Sequence, residues 1–169
     1  MAATVERLNA KSASDFVAAM GPLFEGAPGF LARLAAARPF ASADDLFERA
    51  LAIARAMPED EQLELIDAHP RLGAPPATVS AASFREQGYD RDTDTAIADL
   101  ARLNAAYERQ FGFRFCVFVA GRSRPQLVPI LERALMAERG SEIERAIGDV
   151  VAIARDRYRP LSGATEGAA

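Results

Sequence analysis

At 169 residues, half of them hydrophobic and about a quarter charged, the chain has the make-up of one globular domain that can bury roughly two-thirds of its surface. A net charge of -4, with acids and bases interspersed, leaves no basic stripe for nucleic acid. One cysteine and one histidine exclude an intrachain disulfide and put an ordinary zinc site out of reach.

The N-terminus has no charged start followed by an apolar run, and the longest apolar run, Phe115 to Ala120, is too short to span a bilayer. The expectation is a cytoplasmic protein with no membrane partner, one domain over 1–169 with a core of about 8–160 and a flexible tail at 161–169. Homodimerisation is left open.

In chain order, Ser12-Ala13-Ser14-Asp15 predicts a helix start, and Gly21-Pro22 interrupts that helix. Pro28 opens a second helix that stops near Arg38-Pro39. Ser42 caps a third, ending near Met57, and Pro58 leads an acidic first turn into a fourth. That helix runs into Asp67-Ala68-His69-Pro70-Arg71-Leu72-Gly73. Pro70 cannot continue a helix, so the imidazole projects from a helix end.

Ser80 to Gln87 predicts a short helix closed by Gly88, and Asp90 to Asp94 a polar turn. From Thr95 the spacing of Ile97, Leu100, Leu103, Ala106 and Tyr107 predicts a long helix ended by Gly112. Then the period changes. Phe113 to Gly121 is aromatic and β-branched and reads as a buried strand, yet no second strand exists to pair with it. Either it stays helical, or it is extended and its backbone groups bond to something else, a ligand included. Ser123 starts another helix, Ser141 the last, and Pro160 stops it. The predicted fold is an all-α bundle of about seven or eight helices, with one buried extended segment near Phe113-Ala120.

Histidine is the side chain that exchanges a proton most readily near neutral pH, so His69 is a proton-transfer candidate; the plain alternative is a solvated cation at a helix C-terminus. Cys116 lies among Phe115, Val117 and Phe118, where a thiol is usually inert. Ser83, Glu86 and Gln87 share one helix face, although Ser83 and Glu86 could equally form a capping box. Arg157 reads locally as a solvated helix charge.

Four motifs in order decide between these readings: Asp67 to Gly73, Ser83-Phe84-Arg85-Glu86-Gln87, Leu103 to Phe115 (with Phe111-Gly112-Phe113), and Gly121-Arg122-Ser123. Together they strongly resemble the 2-oxo-4-hydroxy-4-carboxy-5-ureidoimidazoline (OHCU) decarboxylases, over about Leu8 to Tyr158. The resemblance implies an all-α carboxy-lyase of urate breakdown that yields (S)-allantoin and CO2 and uses no cofactor and no metal. It implies that His69 is the acid–base residue, that Glu86 has a catalytic or positioning role, and that Pro70 lines the site. It further implies substrate contacts from Ser83, Phe84, Arg85, Glu86 and Gln87, and from the backbone of Phe115, Cys116, Val117, Phe118 and Val119. An arginine of the last helix is matched to Arg157, with Arg155 and Arg159 nearby. The loops 72–78 and 88–94 are shorter than the common pattern, which bears on pocket shape. The rival readings are a non-catalytic helical interaction module and an enzyme acting on another ureido or carboxylated ring.

Overall fold

The structure, a computed structural model, describes residues 4–73, 80–87 and 96–163. Among these residues there are nine α-helices and no strand. The helices are α1 (Val5–Ala10), α2 (Ala13–Met20), α3 (Pro28–Ala36), α4 (Ala43–Ala56), α5 (Glu59–Asp67), α6 (Ala81–Glu86), α7 (Ile97–Phe111), α8 (Arg124–Ala134) and α9 (Arg139–Gly163). A 3₁₀ turn, Gly21–Leu23, stands where Gly21-Pro22 interrupts the first predicted helix.

Helix starts follow local chemistry. The hydroxyls of Ser12, Ser42 and Ser80 accept the N–H three residues on, at 3.1 Å in each case. At Ser123 the box closes from the other side, its N–H donating to Gln126 Oε1 at 2.8 Å. Gly112, at φ +81°, ends α7 in the left-handed conformation that a side chain would resist.

Three boundaries differ from expectation. A short helix, α1, precedes Ser12 and is capped by Thr4. The last helix begins at Arg139, one half-turn before Ser141, and continues through Pro160 to Gly163. A proline lacks one N–H and crowds the preceding turn, which weakens a helix locally without dictating its end. The predicted tail therefore opens with helical residues, and 164–169 lie outside the described residues. So do 74–79 and 88–95, which hold most of the two shortened loops, the closing Gly88 and the Asp90–Asp94 turn.

Helix α9 is the axis. Ile143, Ala146, Ile147, Val150 and Ala154 recur at helical spacing, are buried, and pack the helix against α4 and α5. Helix α3 joins α2, α4 and α5, while α7 pairs with α8. Each buried Leu or Phe on these faces contributes about 1.5–3 kcal/mol. Tyr107 of α7 is surrounded by the rings of Phe111, Phe113 and Phe115, with centroids 4.6, 5.5 and 5.2 Å away. That cluster anchors the segment 113–120 beside the bundle as extended, non-helical chain.

Candidate active site

His69 follows the last turn of α5, its N–H donating to Ile66 O at 3.2 Å before Pro70 breaks the pattern. The residue is only 4% exposed. Nδ1 lies 3.4 Å from Leu65 O, and Nε2 has no partner. Burial pushes the imidazole pKa down to about 4, helped by the Arg157 charge and opposed by Glu25 and the Leu65 carbonyl. The ring is therefore neutral at pH 7. With the proton on Nδ1 facing Leu65, Nε2 keeps its lone pair, which is the form a general base needs.

Helix α6 faces this ring. Its cap is Ser80, so Ser83 is not spent on capping and turns inward instead. Ser83 Oγ donates to Glu25 Oε1 at 2.6 Å and accepts from Arg157 Nη2 at 3.1 Å. Gln87 ties the loop after His69 to the site: Gly73 N donates to Oε1 at 2.7 Å and Nε2 donates to Arg71 O at 3.3 Å. Asn104 Nδ2 holds Leu72 O at 2.8 Å from the other side.

Arg157 gathers these groups. Nε donates to Glu86 Oε1 at 2.7 Å and Nη2 to Glu86 Oε2 at 2.8 Å. Nη2 also reaches Glu25 Oε1 at 2.9 Å, and Nη1 reaches Pro22 O at 2.9 Å. Its side chain is 6% exposed, so the solvated-charge reading is wrong for this arginine. Arg155 instead pairs with Asp44 at the surface. Burial alone would raise the Glu25 pKa; the Ser83 and Ser80 hydroxyls and Arg157 outweigh it and hold the carboxyl below the usual range.

The extended segment solves its backbone problem with side chains. Arg114 N–H donates to Asp67 Oδ1 at 2.8 Å, Cys116 O accepts from Arg145 Nη1 at 2.9 Å, and Phe118 N–H meets Asp149. Arg122 donates to Phe118 O and to Val119 O. Alternate residues of an extended chain point their N–H and C=O to opposite edges. The even-numbered edge is therefore held by Asp67, Arg145, Asp149 and Arg122 in place of a partner strand. Among the described residues nothing hydrogen-bonds the N–H or C=O of Phe115 or Val117 on the other edge. The alternative of a continued helix through this segment is overturned: the aromatic anchors and these side-chain bonds keep it extended.

These parts enclose a cavity of about 320 Å³. His69, Pro70, Ser83, Arg85, Glu86, Gln87 and the segment from Phe115 to Val119 line it. Phe84 and Arg157 do not, although both were expected as substrate contacts. Arg157 stands behind Glu86, and among the described residues Arg85 is the one arginine or lysine at the wall. Cys116 is 5% exposed, and burial pushes its thiol up to about 12, so it stays protonated. Phe115 and Val119 are buried around the cavity, the arrangement that argues against a displayed adaptor face. Among the described residues no three His, Cys, Asp or Glu side chains converge to hold a metal ion.

Residues 9–159 match the family model for OHCU decarboxylase. The chain belongs to the OHCU decarboxylase family. It is 31% identical over 165 residues to 2-oxo-4-hydroxy-4-carboxy-5-ureidoimidazoline decarboxylase of Mus musculus, covering 94% of this chain and 92% of that protein. It is 33% identical over 161 residues to the uric acid degradation bifunctional protein PucL of Bacillus subtilis, covering 94% of this chain. The chain spans 32% of that relative's length and 32% of the bifunctional protein of Bacillus sp. (strain TB-90). The fold is that of a crystal structure described as OHCU decarboxylase in the presence of (S)-allantoin, at TM-score 0.71 and 20% identity, covering 86% of this chain and 97% of that one. In this OHCU decarboxylase family member, four residues that support the site were not foreseen: Glu25, Asp67, Arg145 and Asp149. Asp67 stands inside the first motif, and Arg145 and Asp149 are an i,i+4 pair. Glu25 carries only the weak signal of the Gly21-to-Gly26 break.

Proposed function

We propose that this cavity decarboxylates 2-oxo-4-hydroxy-4-carboxy-5-ureidoimidazoline to (S)-allantoin and CO2 in urate breakdown, in the cytoplasm. The observation that carries the reading is the neutral, buried His69, which lines a cavity with Glu86 and Gln87 and whose Nε2 has no hydrogen-bond partner. Membership of the decarboxylase family supports it.

The substrate is its own electron sink. As the carboxylate leaves as CO2, its bonding pair forms a ring double bond and the conjugated imine nitrogen takes the charge, then a solvent proton. What remains is an enol. Nε2 of His69 accepts the hydroxyl proton and returns it to the ureido-bearing carbon from one side, giving the product carbonyl and its handedness. The free N–H groups of Phe115 and Val117 are suited to the ring carbonyl oxygen beside that nitrogen, which shares its charge by conjugation. Glu86, held by Arg157, is suited to the ureido N–H groups, and Arg85 to the incoming carboxylate.

The test is turnover of freshly generated substrate, following CO2 release and optical rotation together, because the compound also decays unaided to racemic product. Accelerated release with (S)-product supports the reading. Release at the uncatalysed rate with racemic product overturns it, and turnover of another ureido-bearing ring acid in its place would redirect it.

A further inference from the structure

Glu25 sits in the turn after the 3₁₀ element, at φ +56°, a left-handed conformation that carries a backbone cost for any residue but glycine. The same turn continues through Gly26 at φ +109°. What the strained turn delivers is a carboxylate to the back of the cavity wall. Glu25 Oε1 accepts from Ser80 Oγ at 2.7 Å, Ser83 Oγ at 2.6 Å and Arg157 Nη2 at 2.9 Å. One oxygen therefore fixes the start of α6, the Ser83 hydroxyl and the guanidinium that grips Glu86. Its side chain is 14% exposed, and it is not among the cavity-lining residues.

Without a second anion, the Arg157 charge would be shared between Glu86 and whatever anion entered the cavity. With Glu25 in place, Arg157 is saturated from behind: Nη1 is occupied by Pro22 O and Nη2 by Glu25, and the fork is left on Glu86. We infer that Glu25 is a positioning residue of the reaction, acting through Arg157 and Ser83 to hold the Glu86 carboxylate in its productive orientation. The inference rests on the decarboxylase reading above.

Glu25 is also the anion whose field acts on His69 in the direction that favours imidazolium. It opposes Arg157 from α9, alongside the Leu65 carbonyl of α5, while Glu86 of α6 lines the same cavity. Two readouts follow. The kinetic one compares Glu25→Gln, which keeps the shape and loses the charge, with Glu25→Asp, which keeps the charge on a shorter arm. Glu25→Gln is expected to lower kcat by about ten- to a hundredfold, the scale of a slightly misplaced catalytic group, with a smaller change in KM. Glu25→Asp is expected to recover part of that loss. In a Glu86→Gln background the Glu25→Gln effect should largely vanish, since the two act as one chain.

The second readout does not depend on turnover. His69 is the only histidine, so one imidazole signal reports its titration by NMR. Its midpoint, about 4 in the parent protein, should move to lower pH in Glu25→Gln. Normal kcat in folded Glu25→Gln, or an effect of the same size in the Glu86→Gln background, would overturn the assignment. So would loss of the fold in both Glu25 variants, which would make Glu25 a folding residue only. If the parent protein itself fails to turn over substrate, the decarboxylase reading falls, and the shift or constancy of the His69 midpoint still decides whether Glu25 acts on the site.

Discussion

Arg157 and Glu86 meet through two parallel hydrogen bonds, Nε to Oε1 at 2.7 Å and Nη2 to Oε2 at 2.8 Å, across 71 positions of sequence. A fork of this kind fixes the plane of the carboxylate as well as its place. Lysine cannot reproduce it. Arg157→Lys is expected to keep the fold, since one cation still faces Glu25 and Glu86, yet to lose about ten- to a hundredfold in kcat as Glu86 swings from its orientation. Steady-state kinetics beside a thermal melt checks this. An unchanged kcat would mean that the orientation of Glu86 does not matter.

The neutral state of His69 gives the protein a pH signature. The ordinary value is 6.5 and the folded value about 4, so between them the unfolded chain binds the extra proton. Stability from this group is complete above 6.5 and falls as pH drops through the window, by roughly 3 kcal/mol in all. Urea unfolding at pH 7 and pH 4.5 should show a steeper loss in the parent protein than in His69→Gln. Equal slopes would show that the ring is not held neutral.

Beneath the extended segment, Arg145 bonds Glu142, Asp149 and the Cys116 carbonyl, and its guanidinium lies 4.9 Å from the centre of the Phe115 ring. Glu142 is 3% exposed and also accepts from Tyr107 Oη at 2.7 Å. Arg145→Leu would strand the buried Glu142 carboxylate and take a cation from the half-buried Asp149, and a loss of about 3–5 kcal/mol is expected. Calorimetry reads that loss directly. A variant as stable as the parent would mean that the segment does not depend on this cation.

How much of this was legible in the sequence follows the range of the forces involved. Helix starts at Ser12, Ser42, Ser80 and Ser123 were readable because each cap bonds within three residues. The lone strand-like run at Phe113–Ala120 was readable from its change of period, and its lack of a partner strand already posed the right question. The answer, side chains along one edge, was not readable, because Asp67 lies 47 positions from Arg114 and Cys116 lies 29 from Arg145. Glu25 was invisible for the same reason: its donors stand 55, 58 and 132 positions away. Ser83 has the spacing of half a capping box, and only the cap at Ser80 shows that its hydroxyl serves Glu25 and Arg157 instead of the helix start. The burial of Arg157 likewise depends on a turn 132 positions upstream.

The central claim is that the unpartnered Nε2 of His69 moves the proton, and the most direct measurement is the turnover of purified, folded His69→Ala on freshly generated substrate. The expected result is a kcat lower by about 10²–10⁴-fold with residual product losing its handedness, as befits removal of a positioned acid–base group. Near-normal turnover with (S)-product would contradict it.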